Sequence, residues 1–229
     1  MALAALFALM APEAGAKKKK AGVVESHPAL AAYFQDPSAG PAVPDNQGFI
    51  RRWTILEPIS KPNRSNTVFT DSYIRETFGT ELFPKQFTCL PKEGDVVKVD
   101  GKKLIWHALD SKLFNVKLYR YSTGLEKERY GIIYWAVTEI ECTEDIECVR
   151  LMAGSNSASM WWLDGEEVLI LSGDRRMVMD DGASARLTLT KGRHVLRCAV
   201  INGPGMSDFC VRFVDAQGRP VTSFTVLNR

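Results

Sequence analysis

The sequence predicts an all-β protein, an antiparallel β-sandwich over about residues 49–229. From residue 49 onward the chain carries roughly ten short runs rich in branched and aromatic residues, and turn residues separate them at the spacing typical of sandwiches. No amphipathic segments of helical length alternate with these runs, which argues against a fold built from alternating strands and helices.

The first half of the predicted sandwich has few strands. Residues 52–57 form a short apolar run that Pro58 ends, and residues 72–76 are typical of a helical turn. Residues 96–99 and 103–106 flank Asp100-Gly101, a turn dipeptide that favours a tight β-hairpin.

The second half is denser in strands. A second hairpin is indicated where residues 159–163 and 166–171 flank Asp164-Gly165. Two further runs carry Arg197 and Arg212 among apolar neighbours, and this pattern predicts strands with one solvated face. Those two runs and the remaining predicted strands are residues 195–201, 209–214, 130–141, 147–153, 186–189 and 221–226.

The N-terminal 48 residues predict no core. Residues 1–16 combine an apolar run with small residues and are interpreted as a signal-peptide remnant, which predicts a secreted or periplasmic protein; a disordered terminus without a targeting role is the alternative. The apolar run is too short for a bilayer, so no membrane span is expected. Residues 17–48, rich in Lys, Pro, Gly and Ala, are interpreted as a linker that could hold one short helix at 27–34, capped by Ser26.

Charge and cysteine content argue against several kinds of site. The net charge is +2, from 29 basic and 27 acidic residues, and this near balance predicts no nucleic-acid partner. The five cysteines lack the spacing of a zinc site. Cys198 and Cys210 fall on predicted strands that are interpreted as neighbours, so a disulfide between them stays open, while free buried thiols are the favoured interpretation.

The sequence shows no catalytic motif, and the protein is expected not to be an enzyme. The serine motif of α/β hydrolases requires a glycine that residues 154–157 lack, and one of the three histidines lies in the predicted linker. Asp180-Asp181 lie in a predicted turn, where they could bind a structural calcium ion or cap the backbone. Capping is the commoner role of such residues.

Aromatic residues are the main indication of a ligand, because sugar rings stack on exposed aromatic faces. Neighbours on a strand point to opposite faces, so one indole of Trp161-Trp162 is expected in the core and the other at the surface; packing of both is the alternative. Arg175 and Arg176 could bond hydroxyls or uronic acids, with a solvated loop as the alternative. The aromatic candidates are Trp53, Trp106, Tyr119, Tyr121, Tyr130, Tyr134, Trp135, Trp161 and Trp162.

Residues 153–168, AGSNSASMWWLDGEEV, resemble a motif of galactose-binding-like jelly-roll domains whose form is roughly GSDDGVKVWLNGEEV. The pattern continues through Lys191-Gly192, and residues 209–215 resemble the last core strands of that family. The resemblance covers about residues 130–226, whereas 49–129 fit only loosely. Asp164 stands where the family usually has Asn, and Asp-Gly makes the same turn.

The resemblance implies a non-catalytic jelly roll of the kind attached to bacterial acetyl xylan or feruloyl esterases and glycoside hydrolases. It predicts a carbohydrate-binding or accessory module of a secreted, xylan-active esterase, with xylan or another plant polysaccharide and a catalytic domain of the same polypeptide as partners. The alternative is a structural docking domain without sugar affinity. The predicted ligand-binding residues are Trp161, Trp162, Tyr134, Trp135, Arg175 and Arg176, and the predicted metal-binding residues are Asp180 and Asp181.

Overall fold

A computed structural model of the chain describes residues 21–227, and within them the fold is an antiparallel β-sandwich, as predicted. Short helices connect or cover the strands: α1 (Val23–Ser26), α2 (Asp71–Gly79) and α3 (Leu118–Gly124). The strands are β1 (Phe34–Gln35), β2 (Arg52–Leu56), β3 (Ile59–Ser60), β4 (Val96–Val99), β5 (Lys102–Ser111), β6 (Ile132–Cys142), β7 (Ile146–Ser155), β8 (Ala158–Leu163), β9 (Glu166–Leu171), β10 (Gly182–Ala183), β11 (Leu187–Leu189), β12 (Gly192–Asn202), β13 (Phe209–Val214) and β14 (Phe224–Val226).

The larger sheet is built around two long strands, β6 and β12, which pair from Gly192 opposite Cys142 to Asn202 opposite Ile132. Beyond β12 the sheet continues through β8 to β9. β3, β2 and β14 each pair with a different part of β6, and β2 also pairs with β5. β5 in turn pairs with β1 and β4. All of these strand pairs are antiparallel.

The smaller sheet covers the inner face of the larger one. Its central strand, β7, pairs with β13, β10 and β11. Alternate residues of β7, namely Val149, Leu151 and Ala153, point into the space between the sheets, as the two-residue period of a strand requires. Trp53 and Trp161 of the larger sheet fill the same space.

The outer face of the larger sheet is also buried, under a cover formed by α2 and residues 80–91 beside the β4–β5 hairpin. Phe78, Phe83 and Phe87 of this cover pack edge-to-face on Trp135 of β6. The larger sheet therefore lies between two apolar cores, one on each face.

The prediction of a solvated face on β12 is wrong because the cover lies over it. Arg197 is only 2% exposed, and its guanidinium donates a hydrogen bond to the backbone oxygen of Cys89 in the cover. Burial lowers the pKa of Arg197. On β13, Arg212 is the partly exposed residue of the strand.

Both predicted hairpin turns are confirmed. Asp100 and Gly101 join β4 to β5 with φ values of 47° and 77°, and Asp164 and Gly165 join β8 to β9 with φ values of 53° and 91°. Positive φ at both central positions is what a type I′ turn requires, and its twist matches that of the flanking strands.

The interpretation of residues 17–48 as a linker is wrong for the part that the structure describes. β1 pairs with β5, and Leu30 and Phe34 are buried in the inner core. In place of the helix predicted at 27–34, α1 is followed by a 3-10 turn at Pro28–Leu30, and Ser26 ends α1 rather than capping a new helix. Residues 1–20, which include the predicted signal remnant, lie outside the described residues.

The five cysteines are all free thiols. Cys198 lies on β12 in the larger sheet and Cys210 on β13 in the smaller one, so the expectation that they occupy neighbouring strands is wrong. Burial raises the pKa of Cys198, and it raises that of Cys210 to about 12. Within residues 21–227, no helix has the length and apolar character needed to cross a membrane.

Candidate functional site

The tryptophan pair at 161–162 offers no surface for a ligand. The two indoles do point to opposite faces, but each face has its own core: Trp161 is 0% exposed in the inner core and Trp162 is 4% exposed beneath the cover. Trp162 stacks on Trp135 with ring centroids 5.3 Å apart and planes 15° apart. The prediction that one indole reaches the surface is therefore wrong, and the alternative, packing of both, is confirmed.

Tyr134 is likewise a core residue, on the inner face of β6. Its hydroxyl shares a 2.7 Å hydrogen bond with that of Ser122 in α3, and burial raises its pKa. The structure thus places four of the predicted ligand-binding residues, Tyr134, Trp135, Trp161 and Trp162, in the two cores.

The predicted polar site residues lie in the loop between β9 and β10. Arg175 pairs with Asp181, Nη2 to Oδ2, at 2.5 Å, and Asp180 pairs with Arg212 of β13. Arg176 is exposed. Both carboxylates thus pair with arginines, Asp181 within the loop itself and Asp180 with β13. Within residues 21–227, no group of three or more His, Cys, Asp or Glu side chains could hold a metal ion.

A wide groove lies at the end of the larger sheet where β5 and β6 begin and β3 ends. Its volume is about 1160 Å³. One wall is the β4–β5 hairpin, and the other walls are the loops around residues 58–64 and 127–131. The lining residues are Pro58, Ile59, Ser60, Pro62, Asn63, Arg64, Val99, Asp100, Lys102, Lys103, Leu104, Lys127, Glu128, Tyr130 and Gly131.

Backbone contacts between two of its loops fix the shape of this groove. Lys61 N donates a 2.7 Å hydrogen bond to Gly131 O, and Ile59 pairs with Ile133 one step further into the sheet. Gly131 has φ of +61°, and a Cβ there would lie 3.0 Å from the Cα of Pro62. Glycine is the residue that permits both this conformation and this close approach.

Tyr130 provides an exposed aromatic ring at the groove. The residue is 51% exposed, and its ring lies 6.0 Å from that of Tyr119, with the two hydroxyls 3.4 Å apart. That hydrogen bond raises the pKa of Tyr130. The Arg129 guanidinium lies 5.8 Å from the Tyr119 centroid, within the range of a cation–π contact.

A buried ionic cluster supports the Lys127 side of the groove. Lys127 Nζ lies 3.1 Å from Glu57 Oε1, and Glu57 is only 4% exposed. His107 lies between two carboxylates: its Nδ1 is 3.3 Å from Glu93 Oε1, and its Nε2 is 3.7 Å from Glu57 Oε1, an ion-pair distance too long for a hydrogen bond. Burial opposes a charge on His107, but the two carboxylates outweigh it and raise its pKa.

The same cluster keeps Glu57 ionised. Burial acts to raise the pKa of this carboxyl, but His107, Lys127 and the Ile105 N–H together outweigh that effect and lower it. An ionised Glu57 holds the Lys127 ammonium at the edge of the groove, so one of the groove's cationic groups has a fixed position.

Only some residues in and beside the groove could be predicted from the sequence. Tyr119 and Tyr130 belong to the aromatic candidates of the sequence, whereas Arg64, Lys102, Lys103 and Lys127 do not. Lys102-Lys103 directly after the Asp100-Gly101 turn is the sequence signal that could have indicated a cationic hairpin end. Arg64 and Lys127 reach the groove through the tertiary structure alone.

The chain matches no protein-family model and no curated protein. Among solved structures it is similar to a PA14 sugar-binding domain from an RTX adhesin, over 79% of this chain and 100% of that one, with 10% sequence identity and a TM-score of 0.45. At that identity and TM-score, the similarity carries no argument about function.

Proposed function

We propose that the chain is a non-catalytic carbohydrate-binding module and that the groove at the end of the larger sheet is its binding site. The observation that carries the proposal is the half-exposed ring of Tyr130 in the wall of an open groove of about 1160 Å³. Pyranose C–H groups stack on such a ring, and the polar lining residues Ser60 and Asn63 can bond hydroxyls.

The wider role rests on the resemblance of residues 130–226 to accessory jelly rolls. We assign the module to a secreted or periplasmic polysaccharide-degrading enzyme, a xylan-active esterase, with the catalytic domain in the same polypeptide. Xylan is then the first polysaccharide to test. Turnover of a chromogenic acetyl ester by the isolated chain would contradict the non-catalytic part of this assignment.

Titration calorimetry with soluble xylan tests the groove. Tyr130→Ala removes the exposed ring and should weaken binding about fivefold, because a stacked ring contributes about 1 kcal/mol. Tyr130→Phe is the matched control, since it keeps the ring and loses only the hydroxyl, and it should bind as the wild type does. Equal affinity of the Ala variant and the wild type would place the sugar elsewhere.

A complete lack of glycan binding would favour the alternative role as a docking domain. Two exposed apolar side chains support that alternative, Val68 at 45% exposure and Met206 at 44%. Their loops are joined through Asn66, which accepts a hydrogen bond from Gly203 N and donates one to Pro204 O. Docking would be detected as a tighter association with the attached catalytic domain than with xylan.

A further inference from the structure

The groove carries an excess of positive charge. Four cationic residues line it, Arg64, Lys102, Lys103 and Lys127, against two acidic residues, Asp100 and Glu128. Lys127 already binds Glu57. Within residues 21–227, the other three cations form no ion pair or side-chain hydrogen bond, so their charges have no protein partner.

The β4–β5 hairpin places like charges side by side. Lys98 and Lys103 are directly opposite each other in the strand register, and Lys102, the residue before Lys103, lies opposite Val99. Like charges at directly opposite positions destabilise a strand pair. No carboxylate lies opposite these lysines in the strand register. A bound anion would therefore offset the repulsion by neutralising their ammonium groups.

The aromatic ring and the cations belong to one groove. Tyr130 offers an apolar face and the lysines offer positive charge, so the ligand that fits both has an apolar ring face and an anionic substituent. A hexuronic acid residue has this chemistry, since its pyranose C–H face stacks and its carboxylate pairs with an ammonium or guanidinium group.

We infer that the groove selects acidic polysaccharides, those that carry uronic acid carboxylates, over neutral ones. This inference rests on the proposed carbohydrate-binding function of the same groove and adds the substrate class. Exposed charge pairs are individually weak, so the selectivity comes from several cations acting together and falls as added salt screens them.

The test compares two polymers that differ only in charge. One is a glucuronoxylan fraction, and the other is the same fraction after chemical reduction of its carboxyl groups to primary alcohols. By titration calorimetry at low salt, we expect the native fraction to bind about tenfold more tightly, a preference that several weak charge pairs supply. Raising the salt concentration should shrink that difference.

A charge-removing variant locates the selectivity. Lys102→Gln with Lys103→Gln keeps side chains of polar character, and it should bring binding of the native fraction down towards that of the reduced one. Lys191→Gln, at the opposite end of the sandwich in the turn before β12, is the matched control and should change neither affinity.

The outcomes separate the two proposals. Equal affinity of the wild type for both polymers would overturn the selectivity and leave carbohydrate binding intact, whereas no affinity for either would overturn both. A single-stranded oligonucleotide that binds more tightly than native glucuronoxylan at the same salt concentration would also overturn the inference, because the groove would then recognise phosphate rather than carboxylate.

Discussion

His194 ties the β8–β9 turn to the start of β12 through both nitrogens of its ring. Its Nδ1 lies 2.6 Å from Asp164 Oδ2, and its Nε2 lies 2.7 Å from Thr190 O. A carboxylate and a carbonyl both accept hydrogen bonds, so both ring nitrogens must carry a proton, and the imidazole is cationic in this geometry. The second oxygen of Asp164 accepts a 2.7 Å bond from Val195 N.

This arrangement predicts a pH-dependent stability. Burial opposes the charge on His194, but the bonds to Asp164 and Thr190 outweigh it and raise the pKa above the ordinary value of 6.5. A raised pKa in the folded state stabilises the protein fully below the unfolded-state pKa, and that contribution is lost as the pH rises through the folded-state value. The unfolding free energy should therefore fall from about pH 6.5 upward, as urea titrations can show.

His107 also has a raised pKa, so it contributes to the pH dependence of stability in the same direction as His194. The substitution Asp164→Asn separates the two contributions, because, of the two histidines, it changes the surroundings of His194 only. Asn-Gly forms the same tight turn as Asp-Gly, so the hairpin is kept while the carboxylate is lost. We expect a shallower fall of stability with pH in this variant. A pH dependence identical to that of the wild type would show that the Asp164–His194 pair does not contribute.

Among the elements of the fold, the cover formed by α2 and residues 80–91 buries the outer face of the larger sheet, so no aromatic side chain of that face is exposed. The helix begins after Thr70, whose side chain accepts a hydrogen bond from Tyr73 N, and Asp71 in the first turn suits the positive end of the helix. The buried face of the helix presents Ile74, Thr77 and Phe78 to the sheet. Phe78 packs edge-to-face on Trp135 and Trp162.

Phe78→Ala should therefore destabilise the protein by about 3–5 kcal/mol, the usual cost of removing a buried phenylalanine ring. The tryptophan emission should also shift to the red, because water gains access to the indoles of Trp135 and Trp162. Glu76→Ala, on the exposed side of the same helix, is the control and should change stability by less than about 0.5 kcal/mol. An unshifted spectrum in Phe78→Ala would mean that the cover does not shield the sheet.

At the scale of the whole molecule, residues 21–48 are part of the folded body. Leu30 rests against Gly124 of α3, where any Cβ would clash with it. Arg52, itself 4% exposed, binds Asp110 and also donates to Gly40 O at 2.6 Å and Ser38 Oγ at 2.9 Å, which holds this N-terminal segment against β2 and β5.

Truncation tests this integration. A chain that begins at residue 49 loses the buried side chains of Val23, Leu30 and Phe34, and each large-to-small change at such a site costs about 2–5 kcal/mol. That total is comparable to the whole stability of a typical domain, about 5–15 kcal/mol. The shortened chain should unfold at a much lower urea concentration than one that begins at residue 21. Equal midpoints would restore the interpretation of this segment as a linker.

Local sequence patterns were enough to predict most of the strands and both tight turns. Asp100-Gly101 and Asp164-Gly165 act locally, through backbone angles that those residues adopt readily, so their hairpins could be predicted without knowledge of the rest of the chain. The alternation of Trp161 and Trp162 was also a local property of a strand, and the two indoles do face opposite sides.

What lies over each face of the larger sheet, and where a ligand can enter, depends on contacts between distant segments of the chain. Trp162 is covered by Phe78 and Phe87, more than seventy residues earlier in the sequence, and no local pattern on β8 reports that contact. The groove likewise joins Arg64, Lys102 and Tyr130 from three separate segments. Periodicity specifies the direction of a side chain, whereas burial and charge clustering depend on long-range contacts, and for this protein those contacts moved the candidate site from the buried tryptophans to the cationic groove.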